Sequence, residues 1–91
     1  MANVMTKEEL KGSEAKFLLI DCRELDEQGQ IQGAQRIPLG RLLRDSALLP
    51  KDKEIVVYCR SGVRGQIAAD FLEKKGFSVR NLKGGFSEWA A

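Results

Sequence analysis

The sequence predicts an α/β domain built on a mostly parallel sheet, and three observations carry that expectation. Apolar, strand-like runs alternate with segments of helical periodicity along the whole chain. The runs Phe17 to Cys22 and Ile55 to Cys59 are continuous rather than alternating, the pattern of strands covered on both faces. At 91 residues the chain has the length of one domain, taken as residues 1–91. A chain of that size buries roughly 60–65% of its unfolded surface.

The elements follow in order. Thr6-Lys7-Glu8-Glu9 has the form of a capping box, so a short helix begins there and stops near Gly12. Phe17 to Cys22 is the first strand. Arg23 to Gln28 is charged and has room for a short helix ended by Gly29. Gln35-Arg36-Ile37 reads as a short strand stopped by Pro38. Leu39 to Leu49 carries leucines at 39, 42, 43, 48 and 49, a largely helical spacing that ends at Pro50. Ile55-Val56-Val57-Tyr58-Cys59 is the clearest strand, rich in β-branched side chains. Gln66 to Lys75 is the clearest helix, with Ile67, Ala68, Phe71 and Leu72 on one stripe and Gly76 as its stop. Lys74 and Lys75 complement the dipole at its end. Ser78 to Leu82 is a last strand. Gly84-Gly85 turns the chain into a helical segment, Phe86 to Trp89, with Trp89 covering the core.

Composition excludes several chemistries. The chain has no histidine, so it holds no Ser-His-Asp triad and no imidazole base. Two cysteines without histidine do not make a structural zinc site, and they are too few for a disulfide scaffold. No metal or organic cofactor is expected. Fifteen basic against thirteen acidic residues leave a net charge of +2, too weak a bias to point to nucleic acid or an anionic membrane. No apolar run approaches the ~18 residues of a membrane span, and the start has no apolar leader; a cytoplasmic protein is expected.

The chemistry falls on Cys59-Arg60-Ser61-Gly62-Val63-Arg64, between the best strand and the best helix. Open α/β sheets bind ligands at the carboxyl ends of their strands. Gly62 permits a tight turn with amides facing inward, and the following helix adds its positive end. Arg60 and Arg64 add two permanent charges. Such surroundings favour the thiolate of Cys59, a nucleophile that needs no neighbouring base.

Asp21-Cys22-Arg23, Ile31-Gln32-Gly33-Ala34 with Ile37-Pro38, the loop Cys59 to Arg64, and Leu82-Lys83-Gly84-Gly85 with Trp89 together resemble the rhodanese family of sulfurtransferases. The resemblance implies a five-stranded, mostly parallel sheet flanked by helices on both faces. It implies transfer of a sulfane sulfur from a small anionic donor such as thiosulfate to a thiol or to cyanide, through a persulfide on Cys59. The amides of Arg60 to Arg64 would surround that persulfide. Arg60 would hold the anionic donor and Arg64 would close the loop. Asp21 and Arg23 would brace it by buried hydrogen bonds. A sulfur-relay role, with a partner protein supplying the persulfide, shares the same cysteine. A non-catalytic regulatory module is disfavoured by that cysteine. Related phosphatases have one more residue between cysteine and arginine; here four residues separate Cys59 from Arg64. Gln30 stands where the family carries a histidine. Cys22 reads as a small buried hydrophobe or as a resolving thiol beside Cys59.

Overall fold

The computed structural model describes residues 1–91. Five strands form one sheet: β1 (Asn3–Met5), β2 (Leu18–Asp21), β3 (Gln35–Arg36), β4 (Ile55–Tyr58) and β5 (Val79–Leu82). Their spatial order is β1-β5-β4-β2-β3, and every pairing is parallel. The helices are α1 (Lys7–Leu10), α2 (Leu39–Arg44), α3 (Val63–Lys74) and α4 (Gly85–Trp89). None is long and apolar enough to cross a membrane.

Two cores explain why the strands read as unbroken apolar runs. Ile55, Val57 and Cys59 join Ile20, Cys22, Leu42, Ala68 and Leu72 on one face of the sheet. Val56 and Tyr58 join Met5, Leu10, Leu19 and Leu82 on the other, with Phe86 and Trp89 packed against them. Side chains alternate between faces, and both faces bury apolar partners.

Four local expectations need correction. β1 was not foreseen: it is three residues long, Val4 is exposed, and it exists through its pairing with β5. Residues 23–28 form no helix. Their carbonyls serve two arginine side chains instead: Gln28 O accepts from Arg23, Glu24 O and Glu27 O from Arg36. The leucine-rich stretch is not one helix, because α2 ends at Arg44, with Asp45 as its cap, and a separate 3₁₀ turn covers Ser46–Leu48. Asp45 turns its carboxylate to Arg44 and Arg41, and Leu48 is left 83% exposed. Finally, α3 begins three residues before Gln66, because Gly62 takes φ 111° and ends the loop there. Elsewhere local chemistry acts as read. Thr6 and Glu9 exchange both hydrogen bonds of a capping box at the start of α1.

The strand order reverses between β2 and β4, since β3 lies outside β2 and β5 lies on the far side of β4. That reversal opens a crevice at the carboxyl ends of these two strands. Below it, the buried Tyr58 hydroxyl accepts from the Ile31 amide at 3.0 Å and ties the 29–34 turn to β4. Tyr58→Phe leaves that amide unpaired, so we expect a loss of about 1–3 kcal/mol in urea unfolding. A loss near zero would show that water reaches Ile31.

Candidate active site

Cys59 stands one residue beyond β4, at the crevice, and only 1% of it is exposed. The chain turns back over it. The amides of Gly62 and Gly65 donate to Cys59 Sγ at 3.1 and 3.2 Å. The amides of Arg60, Ser61, Val63 and Arg64 have no hydrogen-bond partner within the chain. Gly65 sits in the first turn of α3, so the sulfur lies at the positive end of a twelve-residue helix.

The carbonyls of the loop are occupied from behind. Cys59 O accepts from Phe86 N at 2.8 Å and Arg60 O from Ser87 N at 2.9 Å. Gly85, at φ 58°, lets α4 approach: a Cβ there would overlap Cys59 O and crowd Arg60 O at 2.7 Å. Gly62 O accepts from Asn81 Nδ2 at 3.0 Å, and the same amide nitrogen reaches Gln66 Oε1 at 3.2 Å. Asn81 Oδ1 is buried without a partner and lies against Gly65, where any Cβ would overlap it.

The two arginines of the loop differ. Arg64 gives a two-pronged hydrogen bond to Glu27, at 2.7 and 3.1 Å. That contact holds the Glu27 carboxyl down to about 2 and raises Arg64 above its ordinary value. Arg60 is exposed and lines a depression of about 630 Å³ with Arg23, Glu27, Phe86 and Ser87. Ser61 and Val63 are exposed as well. The six residues from Cys59 to Arg64 therefore stand together, but Val63 and Arg64 belong to α3 rather than to the loop.

Asp21 and Arg23 are buried, at 0% and 1% exposure. Arg23 Nε reaches Asp21 Oδ1 at 3.0 Å and its second nitrogen reaches Oδ2 at 2.9 Å. Arg36 Nε lies 3.0 Å from the same Oδ2, angled too poorly for a hydrogen bond and held there by charge. Both arginines also donate to Gly29 O, so the carboxylate fixes the segment that carries Glu27. They brace the 24–29 segment directly, and the Cys59 loop indirectly, through Glu27 and Arg64 and through Phe86, which lies under the Arg23 guanidinium and donates its amide to Cys59 O.

Reading the sequence alone missed Glu27, Arg36, Gly65 and Asn81. Asn81 left a signal, a polar residue within an otherwise apolar strand; Gly65 left another, a glycine at the head of a helix. Glu27 and Arg36 left none. Gln30 closes its own turn by donating to Ala34 O. Trp89 packs on the core with Lys11 above its ring at 5.2 Å.

A family model described as a rhodanese-like domain matches residues 5–91. The chain belongs to the rhodanese-like family. It is 41% identical over 88 residues to the protein YqhL of Bacillus subtilis, covering 93% of this chain and 70% of that protein. It is 40% identical over 76 residues to a sulfurtransferase of Allochromatium vinosum, covering 80% of this chain and 71% of the relative. In three dimensions it is similar to a rhodanese-related protein from Thermoplasma volcanium, with a TM-score of 0.92 at 27% identity, covering 97% of this chain and 90% of that one. The five-stranded parallel sheet with its helices is thus the rhodanese-like fold.

The Glu27–Arg64 contact gives this rhodanese-like domain a signature in acid. A carboxyl held below its unfolded value of 4.5 adds stability above that value and loses it as pH falls toward about 2. We expect the stability gap between the wild type and Glu27→Gln, from urea titrations, to be widest above pH 4.5 and to close toward about 2. A gap independent of pH would mean that the ion pair contributes nothing.

Proposed function

We propose that the domain is a sulfurtransferase that carries a sulfane sulfur on Cys59. The observation that supports this most directly is the Cys59 sulfur accepting two backbone hydrogen bonds at the head of α3. Amide donors and a helix end stabilise a thiolate, and they suit a persulfide anion equally. No base is required, in keeping with a chain that has no histidine. The Cys59 thiolate attacks the outer sulfur of a donor such as thiosulfate, and sulfite leaves with the bonding pair. An acceptor such as cyanide or a thiol then attacks the outer sulfur, and the thiolate returns.

The arginines divide the work. Arg64 is already neutralised by Glu27, so it holds the loop closed. Arg60 has its charge free at the rim and attracts the donor anion. The unpartnered amides of Arg60, Ser61, Val63 and Arg64 complete the cradle around the transferred sulfur, with Gly62 as its hinge. Asp21 and Arg23 are positioning residues that act through Glu27.

A relay reading, with a partner protein as donor, has one observation in its favour. Val63 and Ile67, one helical turn apart on α3, are 68% and 51% exposed, and Leu25, two residues from Glu27, is 77% exposed. An apolar rim beside Arg64 suits a protein surface better than a small anion.

Mixing the protein with thiosulfate and cyanide should yield thiocyanate, and Cys59→Ser should abolish it. Arg60→Ala should raise KM for thiosulfate by about tenfold, one charge-assisted hydrogen bond, while the protein stays folded. An aryl phosphate should not be hydrolysed. Persulfide formation with a cysteine desulfurase, but none with thiosulfate, would replace the small-molecule reading with the relay. Phosphatase activity dependent on Cys59 would overturn both.

A further inference from the structure

Cys22 is a second thiol beside the first, and sulfur transfer does not use it. The register places it there. Asp21 and Tyr58 form the last pair of the β2–β4 ladder, closed by Cys22 N donating to Tyr58 O at 2.9 Å. The next pair in that register is Cys22 and Cys59. Neighbouring strands lie about 4.8 Å apart, inside the ~4.4–6.8 Å over which two Cα atoms can be bridged by a disulfide. The side chains share a face as well. Cys22 follows Ile20 by two residues and Cys59 follows Val57 by two, and all four lie in the same core cluster. Both cysteines are free thiols, and both are buried.

We propose that Cys22 discharges the Cys59 persulfide when no acceptor takes its sulfur, releasing sulfide and leaving a Cys22–Cys59 disulfide. This rests on the sulfurtransferase reading, which supplies the persulfide. In the step, Cys22 Sγ attacks Cys59 Sγ and forms the S–S bond between the two cysteines. The bond from Cys59 Sγ to the outer sulfur breaks, and the outer sulfur leaves as hydrosulfide with the bonding pair and the proton from Cys22. The sulfane sulfur is reduced by two electrons, and the two cysteine sulfurs are oxidised to the disulfide. A dithiol reductant then restores both thiols.

The surroundings of Cys22 set the pace. Burial pushes its thiol up to about 12, with a negative charge on Cys59 and the Asp21 carboxylate acting in the same direction and Arg64 against them. Cys22 is therefore held protonated near neutral pH, and attack by a protonated thiol is slow. An acceptor from solution takes the sulfur first. The internal route drains only a persulfide that waits.

The test loads the whole protein with thiosulfate, removes the donor, and follows intact mass under non-reducing conditions together with released sulfide. The wild type should gain the mass of one sulfur atom, then lose it with release of one equivalent of sulfide. Peptide mapping should then find Cys22 joined to Cys59. Cys22→Ala and Cys22→Ser should gain the same sulfur and keep it about tenfold longer. A wild-type persulfide that outlasts its donor as long as either variant's does, with no Cys22–Cys59 peptide, overturns the inference and leaves the sulfurtransferase reading standing. If either variant fails to fold, the peptide map of the wild type still decides. A protein that never gains sulfur from thiosulfate or a desulfurase overturns both.

Discussion

The buried carboxylate of Asp21, at the end of β2, sits between the guanidinium groups of Arg23 and Arg36. A carboxylate taken out of water costs several kcal/mol unless its charge is met, so its partners must be brought in with it. Two cations then face one anion. The surplus charge is spread over backbone carbonyls at Glu24, Glu27, Gln28 and Gly29, and over the face of Phe86, 4.4 Å from the Arg23 guanidinium. Satisfying those donors gives an irregular segment a fixed path. That path delivers Glu27 to Arg64, and the Cys59 loop is held at its far end as a result.

The loop itself sorts its backbone groups by direction. Its carbonyls at Cys59, Arg60 and Gly62 bind α4 and Asn81 behind it. Two amides, those of Gly62 and Gly65, go to the sulfur, and those of Arg60, Ser61, Val63 and Arg64 are left without a partner in the chain. Such a division requires neighbours without side chains at the points of closest approach, which is where Gly65 and Gly85 stand. The cradle is thus a property of packing between α3, α4 and β5 as much as of the loop.

What could be read in advance follows the range of the interaction. The capping box at Thr6, the covered strands and the loop around Cys59 are written in neighbouring residues. The break after α2 and the early start of α3 turn on how Asp45 and Gly62 bend the backbone, which apolar spacing does not record. Glu27 and Arg36 act across long separations in sequence, and nothing adjacent to them marks their partners. β1 is the extreme case: three residues become a strand only because β5 lies beside them.

That pairing of β1 with β5 has a consequence for the newborn chain. Asn3 to Met5 dock on Arg80 to Leu82, and the back wall of the cradle is made by Gly85, Phe86 and Ser87. On the ribosome, the cysteine at position 59 emerges well before these residues do. It waits as an ordinary exposed thiol, open to mixed disulfides and to oxidation, until the last strand and helix arrive. The closed surroundings of Cys59 are therefore completed only after synthesis has passed the segment that shelters it.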